Sequence, residues 1–387
     1  MEELKRFDGL RISRRNTKPL VSHPIPPDVL MDIISRLPAK SVGKCRCVSK
    51  LWALILSRPE FDELFMAKSS TCPQILLGYS GGELPFFTSP QLQNPLVASP
   101  HRTYIPDDMC RISGPVVRGW VCIEYPRDMF VICNPMTGKS ITLPHLKGQM
   151  FCVKSLLGYD PIDKQFKVLC VAWRPSNPYN IPPEHYVLTL GTQQQMVWRT
   201  VECCKPNRPS LLCEDGVCIN GVLYYMANIN RYDQDIVIVC FDIRSEKLSF
   251  INQPEDMWNL SYQSRLINHK GRLGLIYSPS YEIINGHTTC FCWWVLKDTE
   301  KHEWTKRSYE LPQSWWDLVG NTKLRILGTT STCEIVLSPE YLSDQFYIVY
   351  YNFEKNIVRR VGVQGIERFK PLEVFCFLDY LEDLKPI

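Results

Sequence analysis

The hydrophobic positions between residues 25 and 68 repeat with the spacing of α-helices. Pro26-Pro27-Asp28 has the composition of a helix start, because proline is favoured in the first turn. The apolar positions that follow at i, i+1, i+4, i+5 and i+8 are Val29, Leu30, Ile33, Ile34 and Leu37. This spacing predicts one helix with an apolar stripe two residues wide, which ends at Pro38 because proline interrupts helices.

Two further short helices are predicted in the same segment, one with Ser41 as its N-cap and one that starts near Ser57 and Pro59. Their inward-facing residues are expected to be Val42, Cys45, Val48, Trp52, Phe61, Leu64 and Phe65. Such a small bundle buries little core of its own. Each aliphatic side chain of the first helix gains about 1.5–3 kcal/mol on full burial, so its wide stripe predicts a docking face for another polypeptide.

From residue 75 to the end, short apolar runs alternate with turn clusters, as in β-strands. One unit recurs, in which an apolar run, a polar turn and another short strand follow each other. Its equivalent positions are Asn134, Leu190, Asp242, Asp298 and Phe353, separated by 56, 52, 56 and 55 residues. With a second strand pair between the hairpins, each repeat has about four strands, which is typical of a β-propeller blade of kelch-like length.

The number of blades stays open at this stage. Five repeats are visible, and a sixth is expected either from residues 75–112 or from pairing of the final strand, 372–377, with the first blade. The predicted fold is therefore a small three-helix domain followed by a mainly-β repeat domain. A β-sandwich is the alternative architecture.

Composition adds little to this picture. The net charge of +4 over 387 residues gives no case for nucleic acid or an anionic membrane as a partner. We expect residues 1–22 to be a disordered basic tail, with a nuclear-targeting patch at 11–18 as the alternative reading. The seventeen cysteines, without a signal sequence or regular spacing, indicate buried thiols in a reducing compartment, cytoplasmic or nuclear.

The chemistry-bearing residues do not form a recognisable site. Cys45 and Cys47 lie two positions apart on a predicted helix and point in different directions. His287, Cys290 and Cys292 form the densest group of soft ligands, but a structural zinc site usually needs four ligands. The motifs of hydrolases, metalloproteases and P-loop proteins are missing from the sequence. We therefore expect no catalytic residues, no metal and no cofactor.

The helical segment resembles the F-box. The matching motifs are Pro26-Pro27-Asp28, Ile33-Ile34-Ser35-Arg36-Leu37-Pro38 and Cys47-Val48-Ser49-Lys50-Leu51-Trp52. The region from 110 to 387 resembles the plant F-box-associated domain in LLGYDPIDKQFKVLC, GVCINGVLYY, CFDIRSEKL and its Cys-Asn-Pro-x-Thr-Gly-Lys turn. The implied organisation is a tail (1–22), an F-box (23–68), a linker or first partial blade (69–109) and a propeller-like domain (110–387).

The resemblance implies a substrate receptor of a Skp–cullin–F-box ubiquitin ligase. Its partners would be a Skp-family adaptor, through it cullin and RING subunits, and an unknown target protein. The adaptor-binding residues carried over from the family are Pro26, Pro27, Leu30, Ile33, Ile34, Leu37, Pro38, Val48 and Trp52. Cys45 replaces a larger apolar residue and Gly43 weakens the second helix by about 1 kcal/mol, so a weaker adaptor complex is expected.

Target recognition is expected from aromatic and arginine residues near proline-rich or polar stretches. The segment 173–186 reads as a long exposed loop. The candidates are Trp173, Arg174, Tyr179, Trp315 and Trp316. Two alternatives remain: a propeller that binds a small molecule or glycan, and an enzyme built on the propeller.

Overall fold

The fold is described from a computed structural model of the chain. The residues described are 25–79, 86–101, 111–125, 129–146, 151–173, 183–191, 196–205, 207–209, 216–229, 236–254, 264–279, 283–343, 345–366 and 372–384. The predicted tail, together with Arg174 and Tyr179, lies outside these residues. No helix in the described ranges is long and apolar enough to cross a membrane.

Four helices form the N-terminal unit: α1 (Pro27–Ile34), α2 (Ala39–Arg46), α3 (Lys50–Ile55) and α4 (Pro59–Thr71). The expected second helix is therefore two helices, and it begins before Ser41. The Pro38 carbonyl accepts the Val42 amide at 3.1 Å, which starts α2 directly after the proline. Ser49 then caps α3 by accepting the Trp52 amide at 3.1 Å, so the chain turns between the two helices.

The remainder is a six-bladed β-propeller, and the β-sandwich alternative is wrong. Blade 1 contains β1 (Gln74–Tyr79), β2 (Phe86–Pro90), β4 (Ser99–His101) and β26 (Val374–Tyr380). Blade 2 contains β5 (Arg111–Val117), β6 (Trp120–Tyr125), β7 (Met129–Asn134) and β8 (Lys139–Thr142). Blade 3 contains β9 (Phe151–Asp160), β10 (Gln165–Trp173), β11 (Glu184–Thr189) and β12 (Arg199–Val201).

Blade 4 contains β13 (Arg208–Pro209), β14 (Val217–Ile219), β15 (Val222–Asn228), β16 (Ile236–Asp242) and β17 (Lys247–Asn252). Blade 5 contains β18 (Arg265–His269), β19 (Arg272–Tyr277), β20 (Cys290–Asp298) and β21 (Glu303–Glu310), and α5 (Ser314–Val319) follows it. Blade 6 contains β22 (Leu324–Thr329), β23 (Ile335–Pro339), β24 (Tyr347–Asn352) and β25 (Ile357–Gln364), with β3 (Leu96–Val97) added in parallel.

The ring closes because the last strand completes the first blade. β26 pairs antiparallel with β1, with Leu77 opposite Cys376. The strands β1, β2 and β4 thus belong to blade 1 together with β26. The two options left open for a sixth repeat, the segment that begins at residue 75 and the pairing of the final strand, are therefore combined in one blade. Joining both ends of the domain in one sheet removes the open edges that a row of hairpins would leave.

Within the described part of the propeller, the core is divided into six apolar clusters, one between each pair of neighbouring blades. Successive residues of a strand point to opposite faces of its sheet. Leu76 accordingly packs between blades 1 and 2, whereas Leu77 packs between blades 1 and 6. Leu156 and Leu157 divide in the same way between the two neighbours of blade 3. Because both faces of these strands are buried, successive residues along each strand are apolar.

The two ends of the propeller differ in how the strands connect. At one end, which we call the turn end, short turns follow the strands β5, β7, β9, β14, β16, β18, β20, β22 and β24. A side-chain oxygen accepts backbone amides there at 2.7–3.1 Å in the turns that begin at Asn134, Asp160, Asp242, Asp298 and Asn352. The opposite end, the loop end, carries the other connections, including the one in which α5 lies.

Candidate functional site

The helical unit exposes two rows of aliphatic side chains. The α1 strip contains Ile25, Val29, Ile33 and Leu37, which are 37–55% exposed. The α3 strip contains Val48, Leu51 and Leu54, which are 59–64% exposed. The four-residue spacing of the α1 strip places its last three members along one side of α1 and its continuation.

The other side of the same helices forms the core of the helical unit. This core consists of Leu30, Ile34, Ala39, Val42, Ile55, Leu56, Phe61, Phe65 and Leu384, with Met31, Cys45 and Trp52 packed against it. The two-residue-wide stripe of the first helix is thereby divided, because Val29 and Ile33 are exposed whereas Leu30 and Ile34 are at most 4% exposed. One half of the stripe is internal and the other half is available to a partner.

This division corrects part of the adaptor-binding set. Leu30 and Ile34 are internal, so the surface assignment is wrong for these two residues in this arrangement. Pro26, Pro27, Ile33, Leu37 and Pro38 are exposed, as their assignment requires. Val48 is exposed rather than inward-facing, because α2 ends at Arg46 and the chain turns before α3. Trp52 is half-buried against the helical core.

The C-terminal residues Tyr380–Leu384, which we call the C-terminal clip, join the helical unit to the turn end of the propeller. Leu384 is 7% exposed and packs in the helical core. The Glu382 carboxylate accepts the Ala39 amide at the start of α2 and the Gln74 side-chain amide, the latter at 2.9 Å. The Glu382 amide donates to Ser69 Oγ at 3.0 Å. Burial raises the pKa of Glu382, and these hydrogen bonds to its carboxylate oppose that rise.

The clip is also attached to blade 2. Arg118 Nε donates to the buried Asp383 carboxylate at 2.7 Å, and the Tyr380 hydroxyl donates to the Gly119 carbonyl at 3.3 Å. Gly119 has φ +76°, and a Cβ there would lie 2.8 Å from the Leu381 carbonyl oxygen, so only glycine fits. This contact is not predicted from the sequence, because a C-terminal segment of five residues is too short to carry a periodic signal.

At the loop end, the two adjacent tryptophans of α5 have different roles. Trp315 is 2% exposed, its indole N–H donates to the Asn285 carbonyl at 2.8 Å, and it packs in the core between blades 5 and 6. Its assignment to target recognition is wrong, because the side chain is internal. Trp316 is 43% exposed and stays a candidate. Trp173 ends β10 at this same end, while Arg174 and Tyr179 lie outside the described residues.

A cavity of about 370 Å³ lies beside the outer strands of blade 3. It is lined by Pro183, Glu184, His185, Thr200, Val201, Cys203 and Lys205. His185 contacts Asn207 Oδ1 at 3.2 Å and the Tyr225 hydroxyl at 3.3 Å, and Tyr225 donates to Asn207 at 3.1 Å. Burial lowers the pKa of His185. Because these polar groups satisfy one another, the cavity wall needs no ligand to complete its hydrogen bonds.

The soft-ligand group of blade 5 is part of the packing. Cys292 is buried and its Sγ lies 3.4 Å from Ser308 Oγ, whereas Cys290 is half-buried. Among the described residues, no three His, Cys, Asp or Glu side chains are placed to hold a metal ion.

Comparison with known proteins matches both parts of the chain. Residues 24–64 match the F-box domain, and residues 73–381 match the F-box associated beta propeller domain. The Arabidopsis thaliana F-box protein DOR is 43% identical over 383 residues, covering 94% of this chain and 94% of the relative. F-box protein At5g65850 of the same plant is 41% identical over 388 residues, covering 97% and 95%. The chain belongs to the F-box proteins that carry an F-box-associated β-propeller domain.

Proposed function

We propose that the protein is the substrate receptor of a Skp–cullin–F-box ubiquitin ligase. The F-box would bind a Skp-family adaptor through the α1 and α3 strips, and the propeller would hold a target protein. The observation that supports this best is the division of the F-box helices. One side fills their own core, and the other presents seven aliphatic side chains at 37–64% exposure.

The energetic case rests on the area that a partner would cover. Fully burying one Leu, Ile or Val contributes about 1.5–3 kcal/mol. The residues of the α1 and α3 strips are already partly buried, so each would contribute only a fraction of that free energy when a partner covers it. Seven such contributions still exceed what scattered surface residues provide, and contiguous apolar rows on soluble proteins mark interaction sites. Insertion of amphipathic helices into a partner's apolar groove is an established recognition mode.

The proposed mechanism is proximity. Holding a target lysine near a charged conjugating enzyme raises its effective concentration without chemistry in this chain. The C-terminal clip supports this role because it fixes the F-box against the turn end through buried contacts on both sides. A rigid connection keeps the target at a constant position relative to the subunits bound through the F-box.

The test is calorimetry of the full chain with a purified Skp-family adaptor. The double variant Ile33→Ala with Leu37→Ala removes two exposed side chains without touching the helical core. We expect it to weaken adaptor binding at least tenfold and to leave the thermal unfolding midpoint unchanged. The matched control is Ile162→Ala, which removes an exposed aliphatic from a turn of blade 3.

Two results would overturn the proposal. One is the absence of a complex between the unaltered chain and the adaptor. The other is an adaptor affinity of the double variant equal to that of the Ile162→Ala control, because the α1 strip would then contribute nothing to binding.

A further inference from the structure

Trp316 is held in place although much of its ring faces solvent. A Cβ on Gly286 would lie 2.5 Å from Trp316 Cε3, so the indole rests directly on the backbone of that glycine. The His287 ring packs beside it with a centroid distance of 4.5 Å. The remaining 43% of the side chain is exposed at the loop end. Large aromatic side chains that are fixed before binding lose little entropy and act as interface anchors.

The frame around this ring is hydrogen-bonded as one unit. The Gly286 amide donates to the Gly320 carbonyl at 2.7 Å, which joins the β19–β20 connection to the end of α5. The Leu324 amide donates to the Ile284 carbonyl at 2.8 Å. The buried Trp315 indole bonds the same connection. Two segments that are distant in sequence therefore support one exposed indole.

Two exposed carboxylates lie in the segment that carries Trp316. Asp317 follows Trp316 and is exposed, and Glu310 is exposed where β21 ends at the same end of blade 5. Neither carboxylate forms an ion pair within the part of the chain that the structure describes. Lys323, which follows α5 in the chain, lies 2.8 Å from the Glu340 carboxylate. The segment from Glu310 to Asp317 thus offers exposed carboxylates to an incoming group at the loop end.

We infer that Trp316 and Asp317 bind a lysine or arginine side chain of the target protein. The cation lies over the exposed face of the indole, its aliphatic stem packs on the ring, and the Asp317 carboxylate compensates the charge. Indole is the best aromatic partner for a cation, and the attraction increases when the pair is shielded from water. The inference rests on the proposed function, because it names the chemistry of the target that the receptor takes.

The placement agrees with the geometry of a receptor. The F-box occupies the turn end through Lys164–Glu63 and the C-terminal clip, whereas Trp316 lies at the loop end. A target bound on Trp316 therefore leaves the α1 and α3 strips free for the adaptor. Both partners can be held at once, as proximity catalysis requires.

The probe for the test is a library of random peptides displayed on phage, selected against the full chain. We expect enriched peptides to carry Lys or Arg next to an apolar residue. Trp316→Ala should reduce the recovery of those peptides at least tenfold. Asp317→Asn should reduce it about two- to fivefold, the size expected for an exposed charge interaction. Ile357→Ala, an exposed aliphatic at the turn end of blade 6, is the control and should change nothing.

Selection of acidic peptides, no enrichment over an empty surface, or full recovery on Trp316→Ala would each overturn the inference. Adaptor affinity and the thermal unfolding midpoint are measured on the same preparations. Intact adaptor binding with failed peptide selection refutes the Trp316 site alone. Peptide selection without adaptor binding instead refutes the ligase assignment, so the two failures are distinguishable.

Discussion

The C-terminal clip leads to the sharpest prediction about the connection between the two domains. Leu384 is 7% exposed and packs in the core formed by α1 to α4, although it follows the last strand of the propeller. Leu384→Ala removes this contact and leaves a cavity inside the helical core. The polar contacts of the clip with blade 2 are not altered by the substitution, so the change isolates the apolar part of the connection.

The expected cost follows from comparable core substitutions. Leu→Ala at buried sites costs about 2–5 kcal/mol, and a site near a chain end relaxes more easily, so we expect about 2–3 kcal/mol. The helical core is small, and this loss is a large fraction of what such a unit provides. At 1.4 kcal/mol per factor of ten, the opening equilibrium of the helices should rise about 30- to 150-fold.

Hydrogen exchange measured residue by residue on the full chain is the assay. Amides of α1 to α4 should lose protection by that factor, whereas amides of blades 3 to 5 should keep theirs, because their interblade clusters do not include Leu384. Unchanged exchange in the helices would refute the reasoning, since the clip would then not hold the F-box. An equal loss in every blade would refute it as well, because the two units would then unfold together.

Three further predictions concern charges and aromatic rings. Arg118→Ala should weaken the attachment of the clip by about 3 kcal/mol, because it removes the 2.7 Å ion pair of the buried Asp383 carboxylate. Lys164→Ala, which removes an exposed ion pair, should lower the free energy of unfolding by under about 0.5 kcal/mol, and chemical denaturation compares the two variants. Burial lowers the pKa of His101 to about 4, so the folded state binds fewer protons than the unfolded state between pH 6.5 and 4. Stability should therefore fall as pH falls through that window, and a slope unchanged in His101→Gln would contradict this. Trp315→Ala should lower the free energy of unfolding by about 3–5 kcal/mol and Trp316→Ala by under about 1 kcal/mol. Similar shifts of the melting temperature for both variants would contradict the assignment of Trp315 to the core and of Trp316 to the surface.

The F-box helices illustrate what local patterning predicts. Prolines and helical spacing predicted the starts of α1 and α4, because these signals act within one turn of the chain, whereas α1 ends at Ile34 and not at Pro38 as expected. The spacing also found the stripe of α1, but it did not distinguish Ile33 from Ile34. Both residues are apolar and adjacent, and only the packing of α4 and Leu384 against one side makes that side the core.

The propeller shows the same limit at a larger scale. The repeat interval predicted a blade architecture, and three of its equivalent positions, Asn134, Asp242 and Asp298, coincide with turns that their side chains stabilise. In the last repeat the turn hydrogen bond is accepted by Asn352, one residue before the predicted equivalent position Phe353. The interval could not show that the ring closes through β26, which requires pairing between opposite ends of the domain.

For this protein the sequence alone determined the two-domain order, the helical and β regions, and the F-box motifs, because each depends on neighbouring residues. The tertiary structure decided which half of the apolar stripe is free, how six blades close, how the C-terminal clip holds the F-box, and that Trp316 rather than Trp315 faces solvent. These features depend on contacts between residues that can be more than three hundred positions apart, such as Ala39 with Glu382. Periodicity indicates which faces of a helix or strand are apolar. Which segment covers each face is determined only when distant parts of the chain pack together.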